Sequence, residues 1–382
     1  MALITPWFTV KSPGGRHSFT AYNTLDSRIP TPQGSVSTVF RQSVGEARNL
    51  CYPVQIRYLA EGAANFVFEL LPLTEIGFLP EEIKGKLLRI RKSNPANTST
   101  AESWWAYNNR FLPLLGKENV IEYELVDISD GMHKLCTMEL QRADEDGRRK
   151  YQVGAGIDFE DMLGLLMPNM KVSLDIGLSG EFKPKWLRQS HDAPMDATRC
   201  RTCAITASRG KELSFCPLKL ASDSEEERAE AISGIVKELI RSWARNPWDP
   251  TLDLFKTHRP PDDVQSRLEA FFSLEGRHLI QQLKKLQDEW DRTGLFAGDK
   301  DPGYSNVDPD YPLAMTLRDC TIFLKIPKNG WEPIEARLGD LDMKSPKKLL
   351  QWYEKEHGLV TGGWYTAKDA FRKDCQLAKR IP

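Results

Sequence analysis

Two aspartates stand where runs of apolar residues begin or end. Asp319 lies in Ala-Met-Thr-Leu-Arg-Asp-Cys-Thr-Ile-Phe-Leu, at the mouth of an expected buried strand, and Asp340 lies in Arg-Leu-Gly-Asp-Leu-Asp-Met-Lys, at the end of another. Phosphoryl transfer needs such acids: one carboxylate orients an attacking hydroxyl and takes its proton, while a second holds magnesium on nucleotide phosphates. Acids beside strands are also common as helix caps, so spacing alone leaves both readings open, and Asp342 is a further acid on the same run. Lys183 and Lys185 flank Pro184. Proline fixes the backbone and holds the two ammonium groups in a restricted relation that suits phosphate oxygens; an ordinary solvated loop is the plain alternative. In Glu61-Gly-Ala-Ala-Asn-Phe-Val-Phe, small residues around Gly62 and Asn65 let backbone N–H groups approach an anion. The sequence has no Gly-x-x-x-x-Gly-Lys-[Ser/Thr] and no Gly-x-Gly-x-x-Gly, which disfavours P-loop and Rossmann nucleotide sites. Cys200-x-x-Cys203 followed by Cys216 offers three thiolates at a spacing suited to tetrahedral zinc, and His191 is the nearby histidine that could close the set. Three reduced, buried cysteines are the alternative there.

These residues need a scaffold, and 382 residues with 40% hydrophobic and 27% charged content can build two ordinary domains or one large bilobal one. A formal net charge of −1 advertises neither nucleic acid nor an anionic membrane, so a polyanion must be met by a local basic pocket. No apolar run reaches membrane-spanning length, and the first residues lack a secretory signal pattern. Seven mostly scattered cysteines suit reduced thiols. The expectation is an intracellular protein, cytoplasmic and/or nuclear, acting as a monomer without nucleic-acid or membrane partners.

Residues 1–50, rich in Pro, Gly and Ser/Thr, predict a loosely ordered extension. Val-Gln-Ile-Arg-Tyr-Leu from Val54 and Phe66-Val-Phe-Glu-Leu-Leu predict two strands around a tight turn, with Leu87-Leu-Arg-Ile-Arg as the next strand. Residues 101–115 predict a helix; residues 120–127 and 136–140 return to strand composition, and Leu163-Gly-Leu-Leu-Met-Pro predicts a strand at the crossover between lobes. Apolar residues from Ile232 to Trp243 and from Val264 to Trp290 line helical faces. A polar loop over 297–312, strands over 321–326 and 334–341 and a helix over 346–355 complete the pattern.

In order, Gly-Ala-Ala-Asn-Phe-Val-Phe, Leu-Leu-Arg-Ile-Arg-Lys, Glu-Phe-Lys-Pro-Lys, Cys-Arg-Thr-Cys, Phe-Cys-Pro-Leu-Lys-Leu, Arg-Asp-Cys-Thr-Ile and Asp-Leu-Asp-Met-Lys resemble the inositol-pentakisphosphate 2-kinase family over roughly residues 55–353. The likeness is to a divergent, fungal-like member. The resemblance implies an α+β, bilobal, protein-kinase-like fold: an antiparallel-sheet N-lobe over 51–170 and a larger mixed C-lobe over 171–382. It also implies transfer of the ATP γ-phosphate, with magnesium, to the 2-hydroxyl of inositol 1,3,4,5,6-pentakisphosphate, giving phytate, and a structural zinc ion in some members. By position, Gly62, Asn65 and Arg89 would contact the nucleotide; Lys183 and Lys185 would hold phosphates near the transferring group; Asp319 would face the acceptor hydroxyl. Asp340 would bind magnesium, and Lys344, Lys348 and Arg209 would grip substrate phosphates. Trp352 stands where the family carries tyrosine. Pro250-Thr-Leu-Asp-Leu-Phe departs from the family's Asn-Asn-x-Arg run, and Ala204-Ile-Thr from its Met-His-Gln. A non-catalytic inositol-polyphosphate binder on the same fold, or a zinc-dependent interaction module, are the rival functions; the acids Asp319 and Asp340 argue against both.

Overall fold

The structure, a computed structural model, describes residues 8–11, 18–21, 54–72, 78–94, 97–128, 130–149, 155–172, 176–245, 263–296, 307–366 and 375–380. It is an α+β protein with antiparallel sheets. The chain divides into two compact units, Met1–Leu114 with Ile121–Asn169, and Leu115–Val120 with Met170–Pro382. Among the described residues no helix is long and apolar enough to cross a membrane. Within the first fifty residues, β1 (Phe8–Lys11) and β2 (Ser18–Ala21) pair antiparallel.

The first unit is built on a five-stranded sheet in the order β3-β4-β5-β7-β6. β3 (Val54–Glu61) and β4 (Asn65–Pro72) form the expected hairpin, closed by the Gly62 N–H donating to the Asn65 carbonyl at 2.9 Å. β5 (Lys86–Arg91), β6 (Glu124–Asp127) and β7 (Leu163–Pro168) complete it. Period-two alternation puts Phe66, Phe68 and Leu70 of β4 inside. Helix α1 (Thr100–Ala106) opens with a capping box between Ser99 and Glu102. Residues 136–140 are not the strand that their composition predicts. They lie within helix α2 (Asp130–Glu145), where His133, Cys136, Leu140 and Ala143 recur at helical spacing and bury one face, and Cys136 and Leu140 join the sheet's core.

In the second unit, β8 (Gly177–Phe182), β9 (Thr321–Pro327) and β10 (Glu335–Gly339) form an antiparallel sheet in the order β10-β9-β8. Ile322, Leu324 and Ile326 of β9 are buried. The helices of this unit include α3 (Arg201–Ser208), α4 (Glu225–Arg245), α5 (Val264–Ser273), α6 (Glu275–Glu289), α7 (Tyr311–Leu317) and α8 (Leu349–Thr361). Phe182 at the end of β8 meets Phe272 of α5 and Phe215 edge-on, with ring centroids 5.9 Å apart in both pairs. Gly180 permits the close approach of α4: a Cβ there would lie 2.6 Å from a Leu239 methyl. The loop expected over 297–312 falls partly outside the described residues, and its end is different. Tyr311–Leu317 is a buried helix with Pro312 in its first turn, so Asp319 follows a helix as well as preceding a strand.

Candidate active site

Sheet register explains how distant residues meet. Phe182 pairs with Ile322 and Gly339 pairs with Thr321, so the end of β8, the start of β9 and the end of β10 lie at one end of the sheet. The residues just beyond those ends are Lys183, Asp319 and Asp340. Antiparallel pairing alone therefore gathers a Lys-Pro-Lys run with two acids that lie more than a hundred positions further along the chain.

Three lysines converge on Asp319. Lys344 Nζ lies 2.7 Å from Oδ2, Lys185 Nζ lies 3.2 Å from Oδ1, and Lys183 Nζ lies 3.8 Å from Oδ1 while donating to the Asp319 main-chain carbonyl at 2.5 Å. Lys183 also reaches Asp340 Oδ2 at 3.4 Å, and Thr321 donates to the same oxygen at 2.6 Å. The carboxylates keep about two-fifths of their surface, Asp319 at 42% and Asp340 at 41%. Partial burial raises the Asp319 carboxyl, but Lys344, Lys183 and Lys185 outweigh it and hold the group well below the usual carboxylate range. Lys185 is pushed below the ordinary lysine value, because burial and the neighbouring Lys183 and Lys344 together exceed the attraction of Asp319. Burial and Lys344 likewise lower Lys348. Lys183 goes the other way: burial lowers it, but Asp340 and Asp319 outweigh that and raise it.

Backbone strain marks the same place. Among the described residues, the only non-glycine positions with positive φ are Lys185 (60°) and Asp340 (54°). Each costs about 1–2 kcal/mol relative to right-handed backbone, and such strain persists where the surroundings over-determine a functional geometry. Thr316, fully buried in α7, donates its hydroxyl to the Pro312 carbonyl at 2.8 Å and accepts the Lys344 N–H at 3.0 Å, which ties the Lys344 backbone to the helix that precedes Asp319. Cys320, beside Asp319, is sealed inside with its thiol pushed up to about 12 by burial, so it offers no nucleophile.

Gly62, Asn65 and Arg89 belong to the five-stranded sheet of the first unit, Gly62 in the hairpin turn, Asn65 opening β4 and Arg89 buried in β5. Arg209 caps the end of α3, and Lys348 closes a short 3-10 turn before α8. Trp352 is buried, its ring 5.7 Å from that of Tyr311. Pro250–Phe255 lies outside the described residues. A hollow of about 300 Å³ lined in part by Glu118, Phe271, Glu275, Leu279 and Ile334 contains none of the site residues.

The cysteine cluster closes differently from the expectation. Cys375 joins Cys200, Cys203 and Cys216, with all four sulfurs within 4.8 Å of one another. His191 is not among them: its Nε2 lies 3.6 Å from an Asp288 carboxylate oxygen. Cys375 reaches the cluster because its Sγ accepts the N–H of Cys200, the N-cap of α3, at 3.2 Å. Cys200 and Cys216 sulfurs are 3.8 Å apart and Cys216 and Cys375 sulfurs 4.0 Å. Zinc–sulfur bonds of about 2.3 Å in a tetrahedron place sulfurs about 3.8 Å apart, so the four thiols fit that ion. Hydrogen bonds from Cys200, Cys203 and Cys216 hold the Cys375 thiol well below the usual thiol range.

The sequence profile of the inositol-pentakisphosphate 2-kinase family matches residues 58–358. The chain is 31% identical over 189 residues to an inositol-pentakisphosphate 2-kinase of Yarrowia lipolytica, covering 48% of this chain and 53% of that one. It is 26% identical over 205 residues to the enzyme of that name from Debaryomyces hansenii (47% and 48% covered) and 25% over 191 residues to that from Kluyveromyces lactis (50% and 53%). The chain thus spans about half the length of the curated relatives it matches. With most of its length inside the profile and the Lys-Pro-Lys and Arg-Asp-Cys-Thr-Ile runs meeting at one sheet end, this chain belongs to the inositol-pentakisphosphate 2-kinase family.

Proposed function

We propose that the chain is an ATP-dependent kinase that phosphorylates the 2-hydroxyl of inositol 1,3,4,5,6-pentakisphosphate, on a protein-kinase-like bilobal fold. The observation that carries this reading is the convergence of Lys183, Lys185 and Lys344 on the Asp319 carboxylate. In the reaction the hydroxyl oxygen bonds to the γ-phosphorus as the bond from phosphorus to the β–γ bridging oxygen breaks. ADP leaves with that electron pair, and the hydroxyl proton passes to Asp319. A carboxylate held low by three cations is a weak base. A polyphosphate that draws Lys344 and Lys185 onto its own oxygens would return basicity to Asp319 as the substrate arrives. Lys183, between Asp319 and Asp340, would steady the transferring phosphoryl group, with Lys348 and Arg209 further out as phosphate contacts. Gly62, Asn65 and Arg89 would serve the nucleotide. Asp340, a half-exposed carboxylate with an oxygen already oriented by Thr321, suits a hard cation, and magnesium there would neutralise nucleotide phosphate charge.

Transfer from labelled ATP across a panel of inositol phosphates tests the reading: the pentakisphosphate with a free 2-hydroxyl should be the preferred acceptor and hexakisphosphate the product. Absence of transfer to every member would leave a non-catalytic binder. A structural zinc ion in the Cys200–Cys203–Cys216–Cys375 set accompanies this proposal. Protein purified without added metal should carry about one zinc per chain, lost with a fall in Tm in Cys375→Ser and retained in His191→Ala.

A further inference from the structure

A buried amide joins the two loops that carry the candidate chemistry. Gln287, in the last turn of α6, is 1% exposed. Its Oε1 accepts the Leu187 N–H at 3.0 Å, and its Nε2 donates to the Lys185 carbonyl at 2.9 Å and to the Leu317 carbonyl at 3.4 Å. One partner is a donor and two are acceptors, so only this orientation of the amide satisfies all three. The Gln287 main-chain carbonyl in turn accepts Arg318 Nη2 at 3.3 Å, and the same guanidinium is held by Asp291 at 2.6 Å and lies 3.6 Å from the Trp186 ring centroid. Lys185 and Leu187 flank Trp186; Leu317 and Arg318 precede Asp319. The amide therefore grips the strained Lys-Pro-Lys loop and the Asp319 loop at once.

We propose that Gln287 is a positioning residue for phosphoryl transfer: it fixes the left-handed Lys185 backbone against the Asp319 loop and so keeps the Lys185 ammonium on the Asp319 carboxylate. The inference rests on the kinase reading of these residues. A glutamine amide offers one acceptor oxygen beside an NH2 with two donor hydrogens, the set that these three partners need. Methionine fills the same space without either, and asparagine keeps the chemistry but is one methylene too short to reach both loops.

The charged groups facing Asp319 are Lys183 and Lys185 after β8 and Lys344 and Lys348 after β10, with Asp340 beyond Lys183. Loss of Lys185 from that set moves Asp319 towards the ordinary carboxylate value. The test is Gln287→Met and Gln287→Asn in the full chain, read by carbon-13 NMR of carboxyl-labelled aspartate, with the Asp319 signal identified by its absence from Asp319→Asn. In both variants Asp319 should titrate at higher pH than in the wild type. Turnover should fall about tenfold in kcat, as expected for lost alignment, with KM for ATP within about twofold. A residue that only packs the core would lower Tm and leave the Asp319 titration in place; that result in folded variants overturns the proposal. Should Gln287→Met not fold, the polar Gln287→Asn supplies the same readings. Absence of turnover in the wild type would overturn the kinase reading, while the titration still decides the role of Gln287.

Discussion

Each unit holds a knot of charge, and the two knots are built oppositely. In the first, Glu61 at the end of β3 meets Lys92 at 2.5 Å and Arg149 at 3.4 Å, and all three side chains are at most 3% exposed. Lys92 also lies 4.6 Å above the Phe66 ring. In the second, Asp319 and its lysines keep between 24% and 42% of their side-chain surface. Charges taken fully out of water must be paired, and their geometry fixes a fold; charges left half in water can change partners. The buried knot anchors the strand that enters the glycine turn. In the open one, three lysines share Asp319, and Lys183 also reaches Asp340.

Breaking the buried knot should have the largest effect. Glu61→Gln takes the Glu61 charge from Lys92 and leaves Arg149 to its other carboxylate partner, Asp144 at 2.7 Å; loss of one partner of a buried pair costs about 3–5 kcal/mol. Urea unfolding should register that loss almost unchanged between low and high salt; a loss under about 1 kcal/mol would mean that the pair is hydrated and the contrast false. The open knot should instead answer in kinetics. Asp319→Ala should reduce kcat by at least about a hundredfold, the lower range of general-base contributions, with the inositol phosphate still bound. Lys344→Ala should chiefly raise KM for the inositol phosphate, because it neutralises charge present before and during transfer, and binding should weaken with salt. If Asp319→Ala kept full kcat and lost only affinity, the base would be another acid, Asp342 first.

The sequence carried the strands of the five-stranded sheet and β9 and β10 of the second unit through short apolar or alternating runs and their turns, and the identity of the lysines and acids through motif; it did not mark β8 as a strand. It did not carry the α2 segment: Cys136 to Leu140 is too short an apolar run to separate a strand from a helix, and only the wider spacing of His133, Cys136, Leu140 and Ala143 decides it. Cys375 lies 159 positions after Cys216, beyond any spacing rule, so the nearer His191 looked the better ligand. Gln287 left one trace. It follows Leu279 and Leu283 at intervals of four on the buried face of α6, and a polar residue on such a face needs partners. What those partners are depends on the register of β8 and β9, which no local pattern encodes.

The smallest expected effect is on acid stability, and it separates the two knots by their exposure. Asp319 is depressed in the folded chain, whereas an unfolded aspartate titrates near about 3.9. Between those values the unfolded state binds more protons than the folded one, so stability rises with pH there. The contribution is complete above the unfolded value and is lost as pH falls through the folded one. Nothing changes from this source at neutral pH. Because Asp319, Lys183 and Lys185 are more than a third exposed and Lys344 about a quarter, water and salt screen the attraction, and the gain should stay within about 1 kcal/mol. Denaturant unfolding of the wild type and Asp319→Asn at steps below pH 4 should show two curves that converge as pH falls, with the gap closing further in about 1 M salt, where the Debye length is near 3 Å. A gap of several kcal/mol that ignored salt would mean that Asp319 is held as tightly as Glu61, and a carboxylate held that firmly could not release its lysines to an incoming phosphate.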